Sequence, residues 1–253
     1  MTEALVDPAL DALERLEDAS PELLADRLLQ TRVDRKFVMP RTLIAPLLTR
    51  LDAGHRLLRA AGSPAATYET WYFDTPDWRL YDDHRRGRMP RYKVRVRHQV
   101  ERQMSFLEVK RKAQDGRTHK ARLERTFRDA SLDATAGDFI AAHSPITTAE
   151  LRPALWLRFR RATILSVDTE ERLTIDWDFS FRTIHSDRAW EQAAIVEIKQ
   201  PRYHHDTPSV RALRDLGVRE SSISKYCVGL AMLSPLRANS FKPALRDIER
   251  ISA

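Results

Sequence analysis

The chain has 253 residues, of which 42% are hydrophobic and 31% are charged. This composition is typical of a folded globular protein and excludes a disordered chain. No apolar run approaches the roughly 20 residues that a membrane-spanning helix requires, and the acidic first residues do not resemble a secretory signal. A single cysteine, Cys227, excludes an intrachain disulfide framework and a cysteine-based zinc site. We therefore expect a cytoplasmic protein.

The basic residues are unusual in number and in kind. The net charge of +7 favours an acidic partner such as phosphate, nucleic acid or anionic lipid. Arginine supplies 35 of the 43 basic residues and lysine only 8. Codon bias alone accounts for this excess of arginine over lysine, unless the lysines fall in segments with a clear strand or helix pattern. If they do, they are candidates for positions where a compact ammonium fits and a guanidinium fork is too wide.

In chain order, leucines at helical spacing predict one or two helices at residues 8–29, and alternating or β-branched segments predict strands further along. Strands are predicted at 32–38, 66–74, 91–100, 104–112, 118–127, 159–168, 170–180 and 193–199. Helices are predicted at 8–29, 42–52, 131–144, 150–157, 208–216 and 222–233, with a short helix or irregular crossing at 79–86. This order predicts an α+β fold built on one large antiparallel sheet or barrel.

Charged residues share one face of four predicted strands, because side chains alternate between the two faces of a strand. The sets are Arg91, Lys93, Arg95 and Arg97; Glu108, Lys110 and Lys112; Arg172, Thr174 and Asp176; and Glu197 and Lys199. A solvated outer face explains any one strand. However, two cations about 6 Å apart repel by roughly 2–3 kcal/mol at an effective dielectric near 20, so a row of four requires an anion or nearby carboxylates. If these faces point inward, they form a cationic channel that suits a polyphosphate-type ligand with a divalent metal.

Eight segments in this order resemble the VTC domain, the polyphosphate polymerase domain of the vacuolar transporter chaperone complex. They lie at 32–37, 71–76, 91–97, 107–110, 159–162, 172–176, 196–199 and 224–226. The domain belongs to the triphosphate tunnel metalloenzymes, a CYTH-like superfamily. The resemblance implies a closed tunnel of about eight antiparallel strands that binds nucleoside triphosphate and polyphosphate with Mn²⁺ or Mg²⁺. Residues 31–235 would form this tunnel domain, between an N-terminal helical segment at 1–30 and a C-terminal helix or tail at 236–253.

The resemblance also implies roles for individual residues. Catalytic phosphate ligands would be Lys36, Arg95, Arg97, Lys110, Arg161, Arg172 and Lys225. Further phosphate-binding residues would be Arg91, Lys93, Lys199 and Ser224. Glu197 would be the metal ligand, with Glu108 and Asp176 as further candidates. Five of the eight lysines thus fall on motif positions.

The chain departs from the family pattern in places. The superfamily commonly opens with Glu-x-Glu-x-Lys, whereas residues 32–36 read RVDRK, which removes one carboxylate. His98 and Phe159 stand where tyrosines are common. We recognise neither an SPX domain nor a membrane domain, so translocation of a product would need an unidentified membrane partner protein.

The expected function is metal-dependent phosphotransfer inside the tunnel, with polyphosphate synthesis from ATP as the first expectation. If water rather than phosphate is the acceptor, the same residues would support triphosphatase or polyphosphatase activity. A non-catalytic polyphosphate-binding protein is a third interpretation. No helix-turn-helix, zinc-finger or RNA-recognition signature points to a specific nucleic acid. The oligomeric state is left open.

Overall fold

The computed structural model describes residues 7–26 and 33–252. Within them it contains eight α-helices and ten β-strands. The strands are β1 (Val33–Pro40), β2 (His55–Leu57), β3 (Ala66–Asp74), β4 (Arg91–Gln99), β5 (Met104–Lys112), β6 (Thr118–Arg125), β7 (Arg152–Ser166), β8 (Arg172–Arg182), β9 (Asp187–Trp190) and β10 (Ala193–Gln200). The helices are α1 (Pro8–Glu14), α2 (Pro21–Asp26), α3 (Ile44–Leu51), α4 (Arg79–Arg85), α5 (Ala134–His143), α6 (Pro208–Asp215), α7 (Lys225–Leu233) and α8 (Lys242–Ser252). None of these helices is long and apolar enough to cross a membrane.

All ten strands form one antiparallel sheet in the order β1-β10-β8-β7-β3-β4-β5-β6, with β2 beside β7 and β9 beside β8. The α+β expectation is confirmed, but the expectation of a closed barrel of about eight strands is wrong. The end strands β1 and β6 are not paired with each other in the described residues. The outer edge of β1 is already occupied, because Phe37 bridges Glu220 and the Ser221 N–H donates to the Lys36 carbonyl. β6 is exposed and rich in charge, which is typical of an unpaired edge.

The sheet curls, so that strands far apart in the sheet order approach each other across its inner face. We define the inner face as the one that carries Lys36, Arg95, Lys110, Asp176 and Glu197. Lys110 on β5 has Asp34 on β1 and Glu197 on β10 among its electrostatic neighbours, although β5 and β1 lie almost at opposite ends of the sheet order. The result is an open trough rather than a closed tunnel.

Three apolar cores hold the trough. On the outer face of β1, β10, β8 and β7, side chains such as Ile198 and Trp177 pack with α1, α3 and α6. The outer face of β4 and β5 packs against α5 through residues such as Leu107 and Ile140. The third core lies on the inner face at one end, where Phe179 and its neighbours pack against α7 and α8. One end of the trough is therefore filled with apolar side chains.

Most predicted elements agree with the structure to within a few residues, but the helix predicted at 150–157 is wrong. This segment is the start of β7, a strand of 15 residues. Leucine spacing suits a helix there, yet Leu155 and Leu157 face the inner core while Trp156 takes the other face. The sequence does not predict the short strands β2 and β9, because three or four residues carry too little pattern. Residues 27–32 of the predicted first helices and first strand lie outside the described residues.

Candidate functional site

The strands β4 and β5 place basic residues opposite one another on the inner face. Their register puts Arg91 opposite Lys112 and Lys93 opposite Lys110. Directly opposed like charges destabilise a sheet. The next pair on the same face, Arg95 with Glu108, has opposite charges. The site therefore contains two like-charge cross-strand pairs followed by one ion pair.

Glu108 is the centre of the first ion cluster. It is 3% exposed, and its Oε2 accepts from Arg95 Nε at 2.6 Å while its other oxygen binds the ammonium of Lys120. Arg97 lies 4.0 Å from the same carboxylate. Burial by itself raises the pKa of Glu108, but the surrounding cations outweigh burial and hold the pKa well below its usual range. Arg95 also contacts the hydroxyl of Tyr72 at 3.1 Å.

Asp176 is the centre of the second ion cluster. Its two oxygens accept from Arg161 Nε at 2.5 Å and Nη2 at 2.7 Å, and Lys225 Nζ lies 2.6 Å away. Lys225 begins α7, and the side chain of Ser224 caps that helix by accepting from the Cys227 N–H. Burial raises the pKa of Asp176, but Arg161 and Lys225 overcome this effect and lower it. The helix start of α7 is thus joined to β8 across the inner face.

Glu197 and Lys199 form the third cluster, on β10. The Lys199 ammonium contacts Glu197 and lies 3.9 Å from Asp34 on β1. Lys36 is opposite Glu197 in the register of β1 and β10, and Arg172 is opposite Lys199. Burial opposes ionisation of Glu197, but Lys199, Lys36 and Lys225 hold its pKa well below the usual range. Glu197 therefore carries a negative charge at neutral pH.

Several cations of the inner face have no carboxylate of their own. Among the described residues, the side chains of Lys110, Lys36 and Arg91 make no hydrogen bond or ion pair, and Lys93 Nζ donates to Ser224 Oγ at 2.8 Å. Burial, reinforced by the charges of Lys93 and Arg95, lowers the pKa of Lys110 to about 7. Buried ammonium groups without a counter-ion are costly unless a bound anion pairs with them.

The structure brings every predicted site residue to the inner face or to the start of α7, which borders it. Their individual roles stay predictions. Three further charged residues that were not predicted as site residues also lie on this face: Lys120, Arg122 and Asp34. Lys120 contacts Glu108 and Arg122 covers the ring of Phe106. The alternation of residues 118–127 predicts which side chains share a face with Lys120. It does not predict that this face is the inner one, which requires the register with β5.

Glu197 suits a divalent metal better than Glu108 or Asp176 does. Glu108 and Asp176 are each bonded to at least two cations. No cluster of three His, Cys, Asp or Glu side chains that suits a metal occurs in residues 7–26 and 33–252. Mg²⁺ is commonly held by one or two carboxylates, with substrate phosphates and water completing its shell. An ionised Glu197 on a cation-rich face fits that arrangement. The metal role of Glu108 and Asp176 stays a prediction without support from the geometry.

A curled antiparallel sheet with a cation-rich inner face is the architecture of triphosphate tunnel, or CYTH-like, proteins. The solved structure of HpAC1 from Hippeastrum, described as a putative adenylyl cyclase with a dominant triphosphatase activity, matches with a TM-score of 0.51 and 16% identity. That match covers 81% of this chain and 98% of HpAC1. The PH1819 protein from Pyrococcus horikoshii OT3 has a TM-score of 0.46 and 12% identity over 79% of this chain and 96% of that one. A search of the curated proteins finds no match.

The family model of the VTC domain matches residues 31–234. This match covers most of the chain, and it contains all the charged clusters described above. The chain therefore belongs to the VTC domain family, and the expected resemblance is confirmed.

Proposed function

We propose that the chain is a metal-dependent phosphotransferase that acts on nucleoside triphosphate and inorganic polyphosphate in the trough, with polyphosphate synthesis from ATP as its main reaction. The observation that carries the proposal is the presence of two like-charge cross-strand pairs on β4 and β5, Arg91–Lys112 and Lys93–Lys110. These cations are half-buried and lack carboxylate partners, whereas a chain of phosphates supplies several negative charges at once. Membership of the VTC domain family supports the same substrate class.

Binding would use the donors that the internal ion pairs leave over. Glu108 and Asp176 neutralise Arg95, Arg161 and Lys225. Phosphate oxygens would accept from the remaining N–H groups of these cations and from Lys93 and Lys110. The carboxylates keep the cations ordered in the absence of substrate, so little reorganisation is required when the phosphates arrive.

Transfer requires little acid–base chemistry from the protein. Lysine and arginine groups around the transferred phosphoryl group stabilise the charge of a loose transition state. When the acceptor is the terminal phosphate of a chain, it is already ionised and needs no general base. The absence of an obvious base in the sequence is therefore consistent with polymerisation. Mn²⁺ or Mg²⁺ held by Glu197 would supply further charge neutralisation at the phosphates.

Hydrolysis is the second candidate function. The same phosphate-binding groups would support attack by water, and the fold relative HpAC1 is described as having a dominant triphosphatase activity. A non-catalytic polyphosphate-binding protein would use the same groups without turnover. The three functions differ in product: a polymer, free phosphate, or neither.

The test is incubation of the purified protein with ATP and Mn²⁺ or Mg²⁺, followed by measurement of free phosphate and of polymer. We expect polymer formation, and we expect Glu197→Gln and Arg95→Ala each to reduce the rate by about 100-fold or more. Arg111→Gln is the matched control, since Arg111 is exposed on the outer face of β5. Free phosphate without polymer would favour the hydrolase, and full activity in both site variants would contradict the assignment of the site.

A further inference from the structure

The cations of β4 and β5 continue beyond the clusters that neutralise the interior. From the ion pair Arg95–Glu108, the register leads through Lys93–Lys110 to Arg91–Lys112 at the end of both strands. Successive pairs on one face are two residues apart, so the last pair lies about 14 Å from Glu108. The row of cations thus extends well past the ion cluster centred on Glu108.

The outermost pair, Arg91 and Lys112, is less deeply buried than Lys93 and Lys110. Both side chains are half-buried at the end of the strands, with neither an ion pair nor a hydrogen bond among the described residues. Lys36 on β1 and the imidazole of His84 on α4 are charged or polar neighbours. Burial lowers the pKa of both Arg91 and Lys112, in keeping with cations that no carboxylate stabilises.

The apolar core on the inner face restricts where a long ligand can run. At the end of the trough that includes Arg91 and Lys112, α7 and α8 pack against the inner faces of β1, β10, β8 and β7. Residues such as Val38, Phe181 and Ile248 make this core. A phosphate chain cannot displace this core without exposing apolar surface to water. A chain too long for the interior therefore has a cationic path along β4 and β5, past Lys93 and Lys110 to Arg91 and Lys112.

From this arrangement we infer that Arg91 and Lys112 form a distal phosphate subsite, which makes the site select inorganic polyphosphate chains over short triphosphates. The inference rests on the proposed function. An interior occupied by the reacting phosphates leaves the outer pair to bind phosphates further along the same chain. These contacts exist only for ligands that reach past Lys93, so they add affinity for long chains and little for tripolyphosphate.

The test compares the binding of sodium tripolyphosphate and of long-chain polyphosphate by calorimetry at one ionic strength. The variant is Arg91→Gln with Lys112→Gln. We expect its loss of affinity for the long chain to exceed its loss for tripolyphosphate by about tenfold, because two solvent-screened ion contacts contribute about threefold each. A long chain can bind in many equivalent registers, which raises its apparent affinity. Comparison of each variant with the wild type cancels this effect.

The matched control is Arg111→Gln with Lys242→Gln. It also removes one arginine and one lysine, but both are exposed and lie off the inner face. We expect this variant to weaken both ligands slightly and equally through the change in net charge. Thermal melting of the apo proteins verifies folding, and the melting temperature of the outer-pair variant should be no lower than that of the wild type. Should the double variant not fold, each single substitution is expected to show about a threefold difference between the ligands.

Equal losses of affinity for the two ligands would mean that Arg91 and Lys112 act only through the overall positive potential of the protein. This result would overturn the subsite. Undiminished binding of the long chain would overturn it as well. Both results leave the proposed function standing if the wild type binds tripolyphosphate. A wild-type protein that binds neither ligand would instead contradict the proposed function, and the subsite with it.

Discussion

At the scale of single residues, the use of lysine separates the site from the rest of the surface. Seven of the eight lysines lie on the inner face or at the start of α7, and Lys242 is the exception. Arginine covers most other basic positions. A compact ammonium with three donors fits between neighbouring phosphate oxygens in a crowded face where several guanidinium forks would collide. The lysine pattern therefore supports the proposed phosphate binding more directly than the net charge does.

Lys110 provides a pH-dependent prediction at this scale. Its pKa is about 7, because burial and the charges of Lys93 and Arg95 oppose the ammonium form. Bound phosphates favour the ammonium and raise that pKa, so binding takes up a proton near neutral pH. The affinity for tripolyphosphate should consequently fall as pH rises above 7, beyond what titration of the ligand itself causes.

The measurement is the dissociation constant of tripolyphosphate between pH 6.5 and 8.5 in the wild type and in Lys110→Met. We expect the variant to bind about tenfold more weakly at the acid end, since it lacks one charge-assisted hydrogen bond. The difference between the two proteins should narrow with rising pH. A constant difference over this range would show that Lys110 is already fully protonated before the ligand binds.

At the scale of secondary-structure elements, α7 positions site residues through its packing. Its first residue, Lys225, reaches Asp176, while the next residue, Tyr226, donates to the buried carboxylate of Asp74 and stacks on Tyr72 with ring centroids 4.9 Å apart. Asp74 also accepts from the backbone N–H groups of Thr75, Leu80 and Tyr81. One carboxylate thereby links the starts of α4 and α7 to the end of β3.

Gly229 allows α7 to approach the sheet closely, and its substitution is a second prediction. A Cβ at this position would lie 2.7 Å from Phe181 Cδ1 and 2.8 Å from Leu155 Cδ2. We therefore expect Gly229→Ala to lower the free energy of unfolding by about 1–3 kcal/mol, as other overpacked cores do. It should also weaken phosphate binding, because Lys225 would move with the helix.

Gly137→Ala in α5 is the matched control for this substitution. There a Cβ would lie 3.4 Å from Thr148 Oγ1, which is close to ordinary contact. Alanine in a helix interior is favoured over glycine by about 0.5–1 kcal/mol, so this variant should be neutral or slightly stabilised. Urea unfolding of both variants is the measurement, and a Gly229→Ala protein as stable as the Gly137→Ala protein would refute the close packing of α7.

At the scale of the whole molecule, the charges of the inner face oppose the fold until a ligand is bound. The like-charge pairs Arg91–Lys112 and Lys93–Lys110 are held close together by the apolar cores on the outer face. A multivalent anion that binds only the folded state should therefore stabilise it strongly. Tripolyphosphate at 100 times its dissociation constant should raise the free energy of unfolding by about 2.7 kcal/mol.

Thermal melting with tripolyphosphate, with sulfate and with sodium chloride at equal ionic strength tests this expectation. Tripolyphosphate should raise the melting temperature most and chloride least, and added salt should reduce the effect of tripolyphosphate by screening. If chloride stabilises the protein as much as tripolyphosphate does, the inner face has no specific phosphate site.

The agreement between sequence and structure depends on the range of the interactions involved. Strand alternation is a local property, so the side chains of residues 91–97, 107–112, 172–176 and 195–199 can be assigned to faces from the amino-acid sequence alone. Leu155 and Leu157 show the opposite case. Their spacing suits a helix, and only pairing of β7 with β3 and β8 makes the segment a strand. The contact of Lys120 with Glu108 cannot be predicted from the sequence for a related reason, because it depends on the register of β5 and β6.

The amino-acid sequence by itself determined the antiparallel α+β class, the segregation of charge on the strands and the family to which the chain belongs. These follow from side-chain alternation and from residues that lie near one another along the chain. Only the tertiary structure decided that the sheet stays open between β1 and β6, because residues 220 and 221 occupy the edge of β1 that closure would require. It also decided that α7 and α8 fill one end of the trough, because that depends on packing between segments far apart in sequence.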